Sequence, residues 1–402
     1  MPAVYMLIAW GIILVVAKGL KLENHGFSLT AYSLTYRNEQ VQAILTRILS
    51  RTKRATRVFA DVSVIGGFLM MGFVFWFLIT NIPKLFFTPE EASQVLPLIP
   101  GVTLVSAEPL VFFLLSIPIV LVMHEGAHGI VATLEKIKIK TGGFAILIAL
   151  FAGFVEPDEE EFNKAKKISK LRVIGAGATA NVLFSFVLAV ILLTNPVFAL
   201  VLSDPLFASI LPEWFIETFY ELPEELSEGV LVLSIIENSG AERAGIQPMD
   251  IITSINGIPI VAPGNFPILN PGETANVKVL RDTQLLEFDV EIISAPDNSE
   301  RGLIGIMRDN GTGYKPVMNF IEWNNPYVSM FLVWLWMISF FIGIINMLPL
   351  PILDGGKFVH TLIDKKISEK SVNSVMIGIY AIAFVLLALN IGLTVSSGVF
   401  QI

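Results

Sequence analysis

The sequence predicts a polytopic α-helical membrane protein: about six transmembrane helices, a re-entrant β-hairpin and one inserted, small β-rich domain. Three observations lead there. Of 402 residues, 54% are hydrophobic and 15% charged, against about 25% charged in an ordinary soluble domain. Mean hydropathy is +0.70. The apolar residues also gather into stretches long enough to cross a bilayer, for which about 20 helical residues are needed. The net charge of −8 excludes a broadly basic nucleic-acid binder. The absence of cysteine excludes disulfide frameworks, thiolate metal sites and cysteine nucleophiles together. Any metal must therefore rely on the four histidines and on Asp or Glu.

The expected spans are residues 4–20, 62–82, 109–134, 173–193, 328–348 and 375–393. No basic residue precedes the first and no convincing small-residue cleavage site follows it, so it reads as a retained anchor rather than a signal peptide. Lys and Arg collect in cytoplasmic loops close to span ends. The first loop carries Lys21, Arg37, Arg47, Arg51, Lys53, Arg54 and Arg57, and the next carries Lys84 alone. Lys136, Lys138, Lys140, Lys357, Lys365 and Lys366 follow the third and fifth spans. This alternation puts both chain ends outside. It divides the chain into residues 1–82 (two spans and a basic cytoplasmic loop), 83–107 (an outer loop), 108–201 and 326–356 (two parts of a membrane core), 222–309 (an inserted outer domain) and 357–402 (a last span).

Between the third and fourth spans, residues 142–153 (GGFAILIALFAG) are apolar, bracketed by glycines and too short to cross as a helix. They read as a membrane-inserted hairpin, tolerated where protein shields its backbone, with an interfacial helix as the alternative. The charged run 156–170 reads as a solvated connector. From 222 to 309, alternating apolar runs separated by Gly, Pro and Asn turns indicate β-structure. Within it, GVLVLSIIENSGAERAGIQPMDIITSINGIPI (229–260) resembles a PDZ domain, with a Gly-apolar loop, a short helix at 241–245, Asp250 before a strand and an Asn256-Gly257 turn. A generic β-sandwich is the alternative.

The chemistry concentrates in His124-Glu125-Gly126-Ala127-His128, inside the third span. Two imidazoles four residues apart share one helix face, about 6 Å apart along the axis, a spacing that chelates one metal ion. An ionisable residue in that setting costs several kcal/mol unless paired or hydrated. The competing readings are a structural polar cluster or the proton relay of a transporter. Catalytic zinc normally takes three protein ligands, and no further His follows within two turns. The acidic residue closest to the same depth is Asp354, in NMLPLPILDGG (346–356), where Pro349 and Pro351 interrupt helical hydrogen bonding and Gly355-Gly356 lets the backbone bend. An ordinary polar span terminus is the plainer alternative. His25 and His360 lie in polar flanks and read as non-ligands.

HEGAH together with Asn346-x-x-Pro349-x4-Asp354-Gly355 resembles the paired signature of the site-2 protease family of intramembrane zinc metalloproteases. The segment ENHGFSLTAYSLTYR, the PGVTL stretch at Pro100, the GGF hairpin and the PDZ-like insertion extend that resemblance to the membrane-bound transcription factor site-2 protease branch. The resemblance implies one Zn2+ ion on His124, His128 and Asp354, with Glu125 as catalytic acid/base. It also implies that Asn181, in Gly177-Ala178-Thr179-Ala180-Asn181, helps hold substrate or the oxyanion; Ala178 stands where the family has proline. The small residues Gly175, Ala176 and Gly177 otherwise simply allow close helix packing.

The expected activity is zinc metalloendopeptidase action within transmembrane segments of single-span proteins, in regulated intramembrane proteolysis. The alternatives are a metal-ion or proton transporter and a non-catalytic scaffold, the latter disfavoured by Glu125. Gly142, Gly143, Phe144 and Ile146 of the hairpin, with Asn346 and Pro349, are the expected substrate-binding residues. The hairpin edge would pair with unwound substrate, and the PDZ-like domain would take a peptide C-terminus or strand, or would exclude bulky ectodomains. The expected location is a prokaryotic plasma membrane, with the site toward the cytoplasm and the PDZ-like domain outside; an endomembrane is the alternative.

Overall fold

The structure is a computed structural model. It describes residues 2–89, 92–100, 103–104, 107–148, 150–221, 227–262, 266–281, 284–295, 301–308, 315–318, 320–321, 323, 325–364 and 369–396. Gly101 and Val102 of the PGVTL stretch, Lys365 and Lys366 of the charge argument, and the bounds 222–226 and 309 of the inserted domain lie outside the described residues. The chain divides into two compact units. The first comprises Met1–Val105, Pro109–Val187 and Trp334–Ile402, and the second Ser106–Glu108 and Leu188–Val333.

Five described helices are long and apolar enough to cross a membrane: Val41–Phe87, Pro109–Leu134, Lys167–Ile191, Pro326–Ile345 and Ser371–Ser396. The chain is thus a multi-pass membrane protein. The N-terminal stretch expected as a sixth span is helical over Pro2–Gly19 (α1), and Trp10–Gly19 is a shorter apolar segment.

The first unit departs from expectation at the basic loop. Arg47, Arg51, Lys53, Arg54 and Arg57 belong to the same 47-residue helix as the second span, α2 (Val41–Phe87). Lys and Arg are good helix formers, so their charge ends the apolar stretch without ending the helix. At 1.5 Å per residue α2 runs about 70 Å, more than twice the hydrocarbon thickness. The segment after α1 is not loop either. Strands β1 (Phe27–Leu29) and β2 (Ser33–Asn38) join β3 (Ile139–Leu147) and β4 (Leu150–Pro157) in one sheet of order β1-β2-β3-β4. Within it Tyr36 pairs with Phe144 and Asn38 with Gly142, while Gly142 also pairs with Val155 and Leu147 with Leu150. Phe27, Tyr36 and Phe144 cluster across the strands with ring centroids 4.9–6.2 Å apart. The hairpin is therefore half of a larger sheet whose interior strands are β2 and β3.

The charged run after the hairpin is also partly ordered. Its helix α4 (Glu159–Lys164) is capped by the Asp158 carboxylate, which accepts from the Glu161 amide at 2.9 Å. That bond holds the Asp158 carboxyl below its usual range.

Helix α3 (Ala107–Leu134) packs with α2 and α5 (Lys167–Ile191). Small residues set that distance: a Cβ on Gly175 would stand 2.4 Å from the Ser63 carbonyl oxygen, and one on Gly66 would stand 2.7 Å from Thr179 Oγ1. Charge ties the same three helices together. The Arg172 guanidinium pairs with Asp61 and, at 3.1 Å, with Glu135, which also takes Arg57 at 3.2 Å and the Ser169 hydroxyl at 2.5 Å. Helix α6 (Pro326–Ile345) stops well before Asp354, and a separate helix α7 (Asp354–Ile363) begins there, followed by α8 (Glu369–Ser396). The prolines forbid a continuous helix, and the intervening turn closes on itself: the Gly355 amide donates to Asn346 O at 2.7 Å and the Gly356 amide to Leu353 O at 3.2 Å. Neither glycine tolerates a side chain, since a Cβ would lie 2.2 Å from the Met347 or Leu350 oxygen.

The second unit is rich in β-structure. Strands β5 (Val230–Ile235), β6 (Ile251–Ile255), β7 (Thr274–Arg281), β8 (Gln284–Glu291) and β9 (Ile306–Arg308) form a sheet of order β8-β7-β6-β5-β9. Inward residues at alternate positions, among them Val230, Val232, Ile252, Ile255, Val277 and Val279, make its core. The short helix Gly240–Ala244 is capped by Ser239 and ended by left-handed Gly245. Asp250, 1% exposed, receives both Nε and Nη2 of Arg281 at 2.7 Å.

Candidate metal centre

One turn of α3 separates His124 from His128, and their rings stand edge to face at 4.7 Å. Asp354 opens α7 and reaches them from 230 residues further along the chain. His124 Nε2 lies 3.2 Å and His128 Nε2 3.1 Å from Asp354 Oδ2, and the two Nε2 atoms are 3.2 Å apart. Among the described residues this trio is the group whose donor atoms converge as metal ligands do. His25 and His360 are not part of it.

The donors fit a tetrahedral zinc ion. Bonds of about 2.0–2.1 Å at tetrahedral angles put ligand atoms about 3.3 Å apart, within a few tenths of the spacings here. A small-residue position makes the room. On α5, a Cβ at Gly177 would stand 2.3 Å from His128 Nε2 and 2.7 Å from His124 Nε2. Gly175 is a helix-packing glycine, as its sequence context suggests. Gly177, two residues later, faces the imidazole nitrogens.

The far nitrogen of each ring is also met by α5. His128 Nδ1 donates to the Val173 carbonyl at 2.7 Å, which leaves Nε2 as the lone-pair donor. His124 Nδ1 lies 3.2 Å from the fully buried amide of Asn181. Val173, Gly177 and Asn181 recur every four residues and so share one face of α5, matched to the four-residue spacing of the histidines.

Glu125 points to the sheet. Its Oε2 accepts from the Val155 amide at 3.0 Å, and the approach is close because Gly153 lacks a side chain: a Cβ there would meet Glu125 Cγ at 3.0 Å. The Val155 amide is directed away from β3, along the edge of β4 that no described strand pairs. Period-two alternation directs the Phe151 and Gly153 backbones the same way.

Of the expected substrate residues, Gly142, Gly143, Phe144 and Ile146 all lie on β3, whose backbone is paired to β2 on one side and β4 on the other. An added strand has no edge to join there; of the hairpin's two strands, β4 is the one with an open edge among the described residues. Asn346 and Pro349 lie in the turn that presents Asp354, Asn346 through its carbonyl bond to Gly355. Sequence reasoning singled out Gly153 only as the glycine that closes the hairpin, and gave Val155 and Val173 no role. The spacing of 173, 177 and 181 was the signal on offer; Gly177 reads in sequence, with Gly175 and Ala176, only as a small residue that allows close packing, because a glycine's vacant space has no signature of its own.

Comparison with known proteins agrees with this geometry. A model of peptidase family M50 matches residues 112–389, well over half of the chain. An uncharacterized protein of Methanocaldococcus jannaschii is 28% identical over 279 residues, 66% of this chain and 60% of its own length. The chain thus spans about three-fifths of that relative. Shorter matches join it to probable periplasmic serine endoproteases, DegP-like: one from Ectopseudomonas mendocina is 31% identical over 99 residues, 22% of this chain and 21% of its own. One from Hahella chejuensis is 33% identical over 101 residues, 24% and 19%. The long M50 match covers the helices that carry His124, His128 and Asp354, and by it the chain belongs to peptidase family M50, the site-2 protease family.

Proposed function

We propose that this protein is an intramembrane zinc metalloendopeptidase that hydrolyses peptide bonds within transmembrane segments of single-span membrane proteins, as a step of regulated intramembrane proteolysis. The observation that carries the reading is the convergence of His124, His128 and Asp354 within 3.2 Å of one another, the two histidines lying on an apolar helix that also bears Glu125.

His124, His128 and Asp354 hold one zinc ion. When bound, zinc supplies Lewis acidity and lowers the pKa of water from about 15.7 toward 7. Glu125 acts as acid/base. With Oε2 engaged by the Val155 amide, its other oxygen receives the proton of the attacking water and passes it to the departing amine nitrogen as the C–N bond breaks. A helical substrate must first unwind, and its freed backbone groups need partners inside the membrane. The outward-facing groups of Phe151 and Gly153, with the Val155 carbonyl, provide them, so substrate adds as a strand on β4, beside Glu125.

The inserted unit is PDZ-like. Its β-sheet and the short DegP-like matches support this, and its role is to hold a peptide C-terminus or strand or to keep bulky ectodomains away. The basic-residue alternation supports an active site toward the cytoplasm and this domain outside, in a prokaryotic plasma membrane.

The test is metal analysis of purified full-length protein together with cleavage of a membrane-spanning reporter by wild type and Glu125→Gln. Zinc near one equivalent in both, with turnover abolished in the variant, is the expected result. Cleavage undiminished in Glu125→Gln would sink the assignment.

A further inference from the structure

Asn181 is fully buried, its backbone pinned by the Ser339 hydroxyl, which donates to the Asn181 carbonyl at 2.9 Å. Its side chain lies against a nitrogen of His124 that faces away from the metal donors. As the amide stands, Nδ2 is 3.2 Å from His124 Nδ1 and Oδ1 has no partner. An N–H donated to Nδ1 puts the ring proton on Nε2, the atom that faces His128 Nε2 and Asp354 Oδ2 at 3.2 Å. A protonated Nε2 donates to Asp354 and binds no metal.

Turning the amide over resolves the conflict at the ring. Its two ends have nearly the same shape and are told apart by their hydrogen bonds. With Oδ1 toward the ring, the buried oxygen gains a donor, Nδ1 carries the proton and Nε2 keeps its lone pair. His128 already has this arrangement through the Val173 carbonyl. We infer that Asn181 is a positioning residue that sets the tautomer of His124, so that α5 fixes both imidazoles of the metal centre from one face. This rests on the reading of His124, His128 and Asp354 as metal ligands. It departs from the role that the family resemblance implies, in which the amide holds substrate or the oxyanion.

The two roles separate on zinc affinity and on the choice of replacement. A tautomer-setting acceptor is kept by Asn181→Asp and removed by Asn181→Leu. A donor to the oxyanion is lost in both, and its loss leaves metal binding alone. Full-length protein in detergent, stripped of metal and titrated with Zn2+ against a chromophoric chelator, gives the affinity; reporter cleavage at saturating Zn2+ gives turnover; far-ultraviolet dichroism checks the fold. Asn181→Leu should bind Zn2+ about 10- to 100-fold more weakly than wild type, while Asn181→Asp keeps wild-type affinity and most of the turnover. Should the Leu variant lose helix content, Asn181→Ala makes the same comparison. Unchanged Zn2+ affinity in the Leu or Ala variant, or an Asp variant that binds Zn2+ normally yet does not turn over, overturns the inference. A wild type that binds Zn2+ no better than His128→Ala overturns the metal reading beneath it, which is a different result.

Discussion

Glu125 Oε2 and the Val155 amide, 3.0 Å apart, join the helix of His124 and His128 to the unpaired β4 edge of the neighbouring sheet. The carboxylate that is to move protons is thereby oriented by the same strand that is to receive substrate. Proline at 155 tests the link, because an outward-facing position on an edge strand tolerates it and it removes the donor, along with the packing of the Val155 side chain against the core of α2 and α3. A hydrogen bond to a charged acceptor contributes about 1.5–3 kcal/mol. Val155→Pro should therefore keep its zinc and lose about 10- to 100-fold in turnover; full activity in a reporter assay would mean that Glu125 needs no such support.

Gly177 should be irreplaceable even by alanine. The added methyl would stand 2.3 Å from His128 Nε2, inside the space a ligand atom needs. Gly177→Ala should lower zinc affinity about 100-fold while leaving helix content intact, as read by metal titration and dichroism. Gly126→Ala is the control, since nothing lies within 4 Å of a Cβ there, and it should bind as wild type does.

A β3 substitution and a β4 substitution should differ in kind. Ile146 pairs with Leu34 on β2 and with Phe151 on β4, so Ile146→Pro breaks an interior strand and should lower the thermal midpoint. Phe151→Pro, on the outward register of β4, should leave the midpoint nearly unchanged and slow cleavage. Equal effects of the two on cleavage and on stability would count against strand addition at β4.

The ionic cluster of Arg172, Asp61, Glu135 and Arg57 should matter for folding rather than for chemistry. Glu135 is 8% and Arg172 17% exposed at the side chain, and removing one partner strands buried charge at about 3 kcal/mol. Glu135→Ala should unfold earlier in a detergent melt, with zinc stoichiometry unchanged below the transition. Glu135→Gln, which keeps hydrogen-bonding atoms, should fall between the two.

The residues behind these tests differ in how far local sequence betrays them. His124, Glu125 and His128 were legible because two imidazoles and a carboxylate at helical spacing in an apolar span are too costly to keep unless they bind something or move a proton. Asp354 was legible because proline and glycine announce a broken helix. The basic end of α2 was misjudged because hydropathy registers charge while helix propensity does not. β1 and β2 were missed because three- and six-residue strands alternate too briefly to show a period. The sheet they form with the hairpin is decided by pairing across more than a hundred residues, and that is invisible in any local window.

Because His124 and Asp354 stand 230 residues apart with the inserted unit between them in sequence, the group of three is incomplete until Asp354 has been made. At ribosomal speeds that interval is roughly 10 to 50 s. Under the proposed protease activity, a nascent chain carries both imidazoles and the Glu125 carboxylate during this time without the third donor, and so emerges into a crowd of other unfinished membrane proteins unarmed.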